Sequence, residues 1–129
     1  MVTVDDIEAG ATYAYTRTFT TEEVREFAAL SRDEGYHHLV AEEGEAVVVH
    51  GLLTATLPTK LGGDLDFLAR TMEFEFPRPV YTGEAITCEL TIDAVEERES
   101  GYDLAASFVC RNEADEVVMS GRSEGVVFA

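Results

Sequence analysis

The side chains best suited to acid–base chemistry are concentrated in residues 32–38, a polar stretch with the sequence RDEGYHH. It holds a carboxylate at Asp33 and imidazoles at His37 and His38, and a third imidazole follows at His50. A carboxylate and an imidazole that share one water can divide general acid–base work, because one accepts a proton while the other donates one. From residue types alone, Asp33 is better explained as a helix-end or turn carboxylate in an already acidic chain. A metal site built from Asp33, His37 and His38 is also conceivable, but adjacent histidines seldom converge on one ion, so no metal is expected.

The pair His50-Gly51 is the second feature of chemical interest, because it stands where an apolar helix is predicted to begin. Backbone N–H groups in the first turn of a helix have no acceptor within the helix and lie at the positive end of its dipole. Gly51 has no side chain, so an oxygen that develops negative charge could approach its N–H closely. His50 itself is interpreted mainly as a structural residue that forms a hydrogen bond near the helix start.

The segment that must position these groups is residues 47–63, which read VVVHGLLTATLPTKLGG. No charged residue lies between His50 and Lys60, and a helix that is apolar all round must be surrounded by protein or lipid. The segment is too short to span a bilayer, so it is predicted to be a buried central helix. Pro58 is expected to kink it, and Gly62 and Gly63 are expected to supply a left-handed stop. Three threonines, at positions 54, 56 and 59, are predicted to be core hydroxyls bonded to the preceding turn.

A strand and a helix are predicted ahead of the polar stretch. Residues 13–19 alternate as a half-buried strand would. Thr20 and Glu23 have the spacing of a capping box, and Phe19 and Val24 that of a hydrophobic staple, so a helix is expected to begin there and end at Ser31. Its buried stripe is predicted to contain Val24, Phe27, Ala28 and Leu30.

Four strands are predicted after the central helix, in residues 68–76, 86–92, 102–110 and 117–128. Each alternates between two kinds of residue, as expected for a sheet with one buried face. In the last strand one parity includes Gly121, Ser123 and Gly125, which are small enough for a helix to lie close against them. The expected fold class is therefore α+β, a curved antiparallel sheet wrapped around one central helix in a single domain of residues 1–129.

The composition limits the partners of the protein. The 129 residues include 26 Asp and Glu against nine Lys and Arg, for a net charge of −17. Nucleic acid and anionic membrane are therefore poor partners, since binding to phosphate backbones requires clustered cations. The excess of carboxylates favours a protein adapted to high internal salt. Cys88 and Cys110 occupy inward strand positions without metal-ligand spacing, and no signal peptide or transmembrane run is seen, so we expect reduced core thiols in a cytoplasmic protein.

The order of elements resembles the hot-dog fold, and several stretches resemble the MaoC-like dehydratases, a family that includes the (R)-specific enoyl-CoA hydratases. The resemblance covers nearly the whole chain and rests on the segments TFTTEEVREFAALSRD, VVVHGLLTA, MEFEFPRPVYTGEAITCELTI and DEVVMSGRSEGVV. It implies a hot-dog domain in a homodimer or dimer of dimers, with active sites between protomers. It also implies reversible hydration of 2-enoyl thioesters carried by coenzyme A or acyl-carrier protein, without a cofactor.

The family's hydratase motif has an aspartate followed five residues later by a histidine, and it falls here on Asp33 and His38. Gly35 and Tyr36 stand where the family usually has asparagine and proline. The resemblance therefore implies that Asp33 and His38 hold the water that adds to the double bond, and that the Gly51 N–H stabilises the enolate-like oxygen. His50 and Leu52, on either side of Gly51, are expected substrate contacts. Arg78 is the first choice for pairing with the carrier's phosphates.

Two other functions remain open at this stage. A thioesterase of the same fold is one, since DEGYHH faintly resembles the aspartate-glycine-histidine loops of some hot-dog thioesterases. Against it, residues 52–61 contain no Asp or Glu to activate a hydrolytic water. The other is a noncatalytic acyl-thioester-binding subunit, which the altered residues between Asp33 and His38 would allow. His37 is the competing imidazole if the loop has shifted by one residue.

Overall fold

The computed structural model of the chain describes residues 7–41 and 46–128. One antiparallel sheet contains five strands in the order β1-β3-β4-β5-β2, which confirms the α+β class. The strands are β1 (Thr12–Thr18), β2 (Phe67–Glu75), β3 (Ala85–Arg98), β4 (Gly101–Arg111) and β5 (Val117–Phe128). The helices are α1 (Thr21–Ser31), α2 (Tyr36–Leu39), α3 (Gly51–Thr54) and α4 (Thr56–Asp64). Within the described residues, no helix has the length and hydropathy required to cross a membrane.

The core lies between the sheet and α4, which packs against β1, β2 and β3. The alternation predicted for β3 is confirmed, because its four inward residues are all buried: Ile86, Cys88, Leu90 and Ile92. Cys88 and Cys110 are register partners on β3 and β4, and both are free and buried, as expected. Their hydrogen bond, together with burial, raises the pKa of the Cys110 thiol. Cys110 therefore stays protonated and unreactive in the core.

The central helix is divided into α3 and α4, whereas the sequence predicts a single buried helix with a kink at Pro58. The break falls at Ala55, between α3 and α4. Its cause is Pro58, which has no N–H for the carbonyl of Thr54 four residues earlier and whose ring would collide with that carbonyl. The predicted kink is thus confirmed, but the apolar surface is not continuous, since Leu52 is 65% exposed.

Two expectations about glycines are wrong. The helix α4 runs through Gly62 and Gly63 to Asp64, and the left-handed residue that follows is Asp66, with φ of 56°. The small residues of β5 make room for a strand rather than for a helix. A side chain at Gly121 or Gly125 would run into the backbone carbonyls of Glu73 and Leu68 on β2.

The helix α1 begins as predicted. Thr20 Oγ1 accepts a hydrogen bond from the Glu23 N–H at 3.1 Å, and a Glu23 carboxylate oxygen accepts one from the Thr20 N–H at 3.0 Å. Phe19 and Val24 are fully buried, as the hydrophobic staple requires. The helix ends at Ser31, but Leu30 is 82% exposed and does not belong to the buried stripe.

The polar stretch after α1 is not all loop, because residues 36–39 form the helical turn α2. The sequence of residues 41–46 predicts an acidic connector of small residues, but positions 42–45 lie outside the described residues.

Glu23 makes the stability of this helix start depend on pH. The Thr20 backbone N–H, followed by the Arg17 side chain, lowers the pKa of the Glu23 carboxyl below its ordinary value of 4.5. We expect Glu23→Ala to lower the free energy of unfolding by about 1 kcal/mol more than Glu22→Ala, which removes a carboxylate from the same turn without the capping bonds.

The difference between these two variants should be complete above pH 4.5, where the carboxylate is ionised in both the folded and the unfolded chain. It should shrink as the pH falls through the lowered pKa of folded Glu23, because protonation then removes the advantage of the folded state. Urea denaturation at several pH values measures it. Equal losses for the two variants at neutral pH would contradict the role of Glu23.

Candidate active site

The end of α1 places Asp33. Arg32 adopts the left-handed conformation, with φ of 66°, and its N–H donates to the Ala28 carbonyl, so the chain turns sharply after the helix. The Asp33 N–H donates to Ser31 Oγ at 3.1 Å, and Asp33 Oδ1 accepts from the Gly35 N–H at 3.2 Å. One carboxylate oxygen is thereby used to shape the loop. The other, Oδ2, points toward His38.

His38 is held by α2 and is buried. Its Nδ1 lies 2.6 Å from the Val48 carbonyl, and a carbonyl can only accept, so Nδ1 carries a proton. In the neutral ring the lone pair is therefore on Nε2. This atom lies 3.9 Å from Asp33 Oδ2, too far for a direct hydrogen bond. The structure thus brings together the two residues of the predicted motif, with a proton-accepting nitrogen beside a carboxylate.

His50 supports both of these residues. Its ring is 1% exposed, and Nε2 donates to the backbone carbonyl of Asp33 at 2.9 Å. The ring also stacks on His38, with centroids 3.7 Å apart and planes 16° apart, while Phe27 packs edge-on against its other side. This placement agrees with the interpretation of His50 as a structural residue near the helix start. The His37 ring also contacts His38, with centroids 3.9 Å apart and planes tilted by 57°.

A cavity of about 430 Å³ opens beside His38. Its polar lining consists of His37, His38, Gly51, Thr54 and Arg78. Its apolar lining consists of Val48, Val49, Phe76, Pro79, Val80 and Val118. Asp33, His50 and Leu52 are not among the described residues that line it; Asp33 is 59% exposed at its side chain, and His50 lies behind His38. The cavity therefore combines an apolar wall with an acid–base group at one end, which suits a ligand with an apolar chain and a polar reacting centre.

Gly51 and Arg78 contribute different polar groups to the lining of the cavity, a backbone N–H and a charged side chain. Gly51 is the first residue of α3, and its N–H donates to no acceptor among the described residues. A Cβ at Gly51 would come within 3.1 Å of the Phe76 ring, so a side chain there would press into the wall of the cavity. Arg78 is half exposed, lies 3.1 Å from Glu116 and also donates to the Val117 carbonyl at 3.3 Å. Gly51 thus offers a fixed donor and Arg78 a charge already held by one partner.

Asp33, His38 and His50 each have a potential metal-ligating atom within 4.8 Å of the others. The stacking of the two imidazoles argues against a shared ion, because their lone pairs lie in nearly parallel planes. An ion about 2.1 Å from both nitrogens would sit far out of each ring plane. The arrangement therefore fits acid–base chemistry better than metal binding.

Thr54 is the residue of this site that the sequence did not distinguish. The predicted bond to the preceding turn is present for Thr56, which donates to the Leu53 carbonyl, and for Thr59, which donates to the Thr56 carbonyl. For Thr54 it is wrong, since its hydroxyl is buried without a partner among the described residues. The sequence feature that could have singled out Thr54 is its position four residues after His50, which places the two residues on the same face of a helix.

The five-stranded antiparallel sheet packed on α4 is a hot-dog fold, and the proteins that this chain resembles are hydratases and dehydratases. Residues 5–120 match the family described as the FAS1-like dehydratase domain region, so the chain belongs to that family. It is also similar to the (R)-specific enoyl-CoA hydratase of Aeromonas caviae, with 29% identity over 107 residues that cover 74% of this chain and 78% of that protein.

Solved structures agree with this placement. The (R)-hydratase of A. caviae involved in PHA biosynthesis superposes with a TM-score of 0.82 at 25% identity and covers 95% of this chain and 98% of that one. The MaoC-like dehydratase of Rhodospirillum rubrum shares the fold, with a TM-score of 0.78 at 19% identity and coverage of 96% and 94%. The resemblance to MaoC-like dehydratases and the hot-dog fold are therefore confirmed.

Proposed function

We propose that this protein catalyses the reversible hydration of 2-enoyl thioesters to (R)-3-hydroxyacyl thioesters, carried by coenzyme A or acyl-carrier protein. The observation that supports this most directly is the pair formed by His38 Nε2 and Asp33 Oδ2, 3.9 Å apart beside the cavity. A water about 2.8 Å from each atom fits between them, since that is an ordinary hydrogen-bond length. Such a water would face a substrate bound against the apolar wall.

In the proposed reaction, His38 Nε2 accepts a proton from water and later donates it, because the Val48 carbonyl keeps the other ring proton on Nδ1. The water oxygen attacks the β-carbon while His38 Nε2 takes one of its protons, and the Asp33 carboxylate accepts a hydrogen bond from the other. The electron pair of the double bond moves onto the thioester oxygen, where the Gly51 N–H stabilises it. The His38 imidazolium next gives its proton to the α-carbon on the same face, so one water has been added and His38 is neutral again. The Val48 carbonyl supports the imidazolium through Nδ1.

The coenzyme A or acyl-carrier protein portion of the substrate is proposed to bind at the mouth of the cavity, near Arg78 and Leu52. Carrier phosphates need a cation on a chain with a charge of −17, and Arg78 is the arginine that lines this cavity among the described residues. Its side chain is half exposed and pairs with Glu116 at 3.1 Å. Leu52, which is exposed beside Gly51, is suited to contact the pantetheine arm from outside the cavity.

The test is an assay of the purified protein with crotonyl-CoA in molar KCl. Loss of the enoyl absorbance without release of free thiol is the expected result, and chiral analysis should identify the (R)-3-hydroxy product. Release of thiol would instead support the thioesterase. Binding of crotonyl-CoA without either reaction would support the noncatalytic subunit.

We also infer that two copies of the chain pair. The strand β2 is at an edge of the sheet, and its residues Leu68 and Met72 are 60% and 41% exposed, while Phe76 directly after it is 46% exposed. An apolar edge strand with unpaired backbone groups is unfavourable in an isolated domain, because it invites pairing with another strand. We expect light scattering at micromolar protein in molar KCl to give twice the chain mass of 14.1 kDa or a multiple of that dimer. The mass of a single chain would refute the pairing.

A further inference from the structure

Two buried polar atoms next to the proposed acid–base pair have no hydrogen-bond partner among the described residues: His50 Nδ1 and Thr54 Oγ1. Both residues are 1% exposed. Leaving buried polar atoms unpaired is costly, and each such atom in a native protein requires an explanation. These two atoms are also the only orphaned side-chain atoms of this kind within residues 7–41 and 46–128.

The hydroxyl of Thr54 does not take the usual route for a helical threonine, which is a bond to a carbonyl of the preceding turn. The carbonyl one turn back, that of His50, already accepts the N–H groups of Leu53 and Thr54, each at 3.0 Å. Both of its lone pairs are therefore in use. Thr56, with the same side chain on the next helix, has a hydroxyl bonded to the Leu53 carbonyl. Thr54 thus retains a hydroxyl proton with no acceptor.

Within the part of the chain that the structure describes, His50 lacks a donor for its Nδ1 atom, just as Thr54 lacks an acceptor for its hydroxyl. Its Nε2 must carry the ring proton, because the atom it approaches at 2.9 Å is the backbone carbonyl of Asp33. In the neutral ring Nδ1 is then an acceptor without a donor. Thr54 lies one helical turn from His50, and their backbones are joined by the Thr54 N–H bond to the His50 carbonyl. A change between staggered χ1 rotamers turns the Thr54 hydroxyl without moving the backbone.

We propose that the Thr54 hydroxyl donates to His50 Nδ1 in the active protein, which makes Thr54 and His50 positioning residues for Asp33 and His38. This bond keeps the His50 proton on Nε2, where it holds the Asp33 carbonyl, and it fixes the ring on which His38 stacks. The hydrogen bond itself does not depend on the proposed hydration, but its effect on turnover rests on that function.

Nitrogen NMR of the ¹⁵N-histidine-labelled protein tests the bond directly, since hydrogen bonding of a lone pair shifts the signal of an unprotonated ring nitrogen. The variants are Thr54→Val, which keeps the shape and removes the hydroxyl, and Thr54→Ser, which keeps the hydroxyl. Thr56→Val is the matched control, because it removes a helical threonine hydroxyl that is bonded elsewhere.

In the wild type and in Thr54→Ser, we expect His50 Nδ1 to give the signal of a hydrogen-bonded acceptor. In Thr54→Val that signal should move to the position of a free acceptor, while Thr56→Val should leave it unchanged. The melting temperature of Thr54→Val should fall, because His50 Nδ1 loses its donor. If the Thr54 hydroxyl is unpaired in the native protein, the melting temperature of Thr54→Val should instead rise, because the substitution removes a buried polar group that forms no hydrogen bond.

The activity measurement separates positioning from substrate binding. In Thr54→Val the kcat for crotonyl-CoA should fall by up to about 100-fold with little change in KM, as expected when a catalytic group is displaced. Thr54→Ser should retain most of the wild-type kcat. A free-acceptor signal for His50 Nδ1 in the wild type, or a Thr54→Val protein with unchanged signals and melting temperature, would overturn the proposal. A bonded signal in a wild type without hydratase activity would support the bond and refute the proposed function.

Discussion

Replacement of Asp33 by asparagine or of His38 by glutamine is expected to lower the turnover of crotonyl-CoA hydration by about 10²- to 10⁴-fold, the usual contribution of a general acid–base group. Asp33→Asn keeps the side chain's size and its oxygen for the Gly35 N–H, but it removes the charge that faces His38. His38→Gln places an amide near the position of Nε2 and removes the lone pair of that nitrogen, together with the Nδ1 bond to the Val48 carbonyl. Both changes therefore remove proton chemistry from the site.

The double variant should be scarcely slower than either single variant, because residues that act on one water work as a unit. His37→Gln is the matched control, since it replaces an exposed imidazole beside the same cavity and should leave most of the activity. Steady-state kinetics of all four variants measures these effects, with circular dichroism to show that each is folded. Near wild-type rates in folded Asp33→Asn or His38→Gln would defeat the assignment, and an inactive His37→Gln would transfer the role to the neighbouring histidine.

Removal of the Gly51 N–H should have the second large effect. A proline is compatible with this position, because the first residue of a helix needs no N–H donor within the helix and His50 has the extended backbone, with φ of −55° and ψ of 137°, that proline favours in its predecessor. We expect Gly51→Pro to lower kcat by about 10²- to 10³-fold, the cost of deleting one oxyanion-hole donor.

Gly51→Ala is the control that makes this experiment specific. Both substitutions add a Cβ that meets the Phe76 ring at 3.1 Å, but alanine keeps the N–H. Crowding alone should therefore affect the two variants similarly, and mainly in KM, whereas loss of the donor should separate them in kcat. Equal kcat values for the two variants would show that this N–H does not stabilise the transition state.

The secondary structure was largely predictable because its determinants are local. The strand β3 was identified from the alternation of its residues, and all of its predicted inward positions are buried. The start of α1 was predicted from Thr20 and Glu23, whose reciprocal bonds form between residues three positions apart. The errors arose where distant parts of the chain decide the outcome. The glycines Gly121 and Gly125 make room for β2, which is separated from them by two other strands in the sequence.

By itself, the sequence identified the candidate functional groups. These are a carboxylate and an imidazole at the spacing of the family motif, and a glycine at a helix start. The sequence could not determine how these groups are oriented. The proton of His38 is assigned by the Val48 carbonyl ten residues away, and the position of Asp33 depends on His50, seventeen residues away.

The cavity is likewise a product of the tertiary structure, since Gly51, Phe76 and Val118 line it from three separate parts of the chain. The same holds for Thr54, whose hydroxyl is buried without a partner among the described residues, whereas the hydroxyl of Thr56 donates to the Leu53 carbonyl. The physical reason is that hydrogen bonds and ring contacts depend on distances of a few ångströms between residues far apart in the chain. Only the packed fold sets those distances, so the sequence identifies the participants and the tertiary structure decides which of them act together.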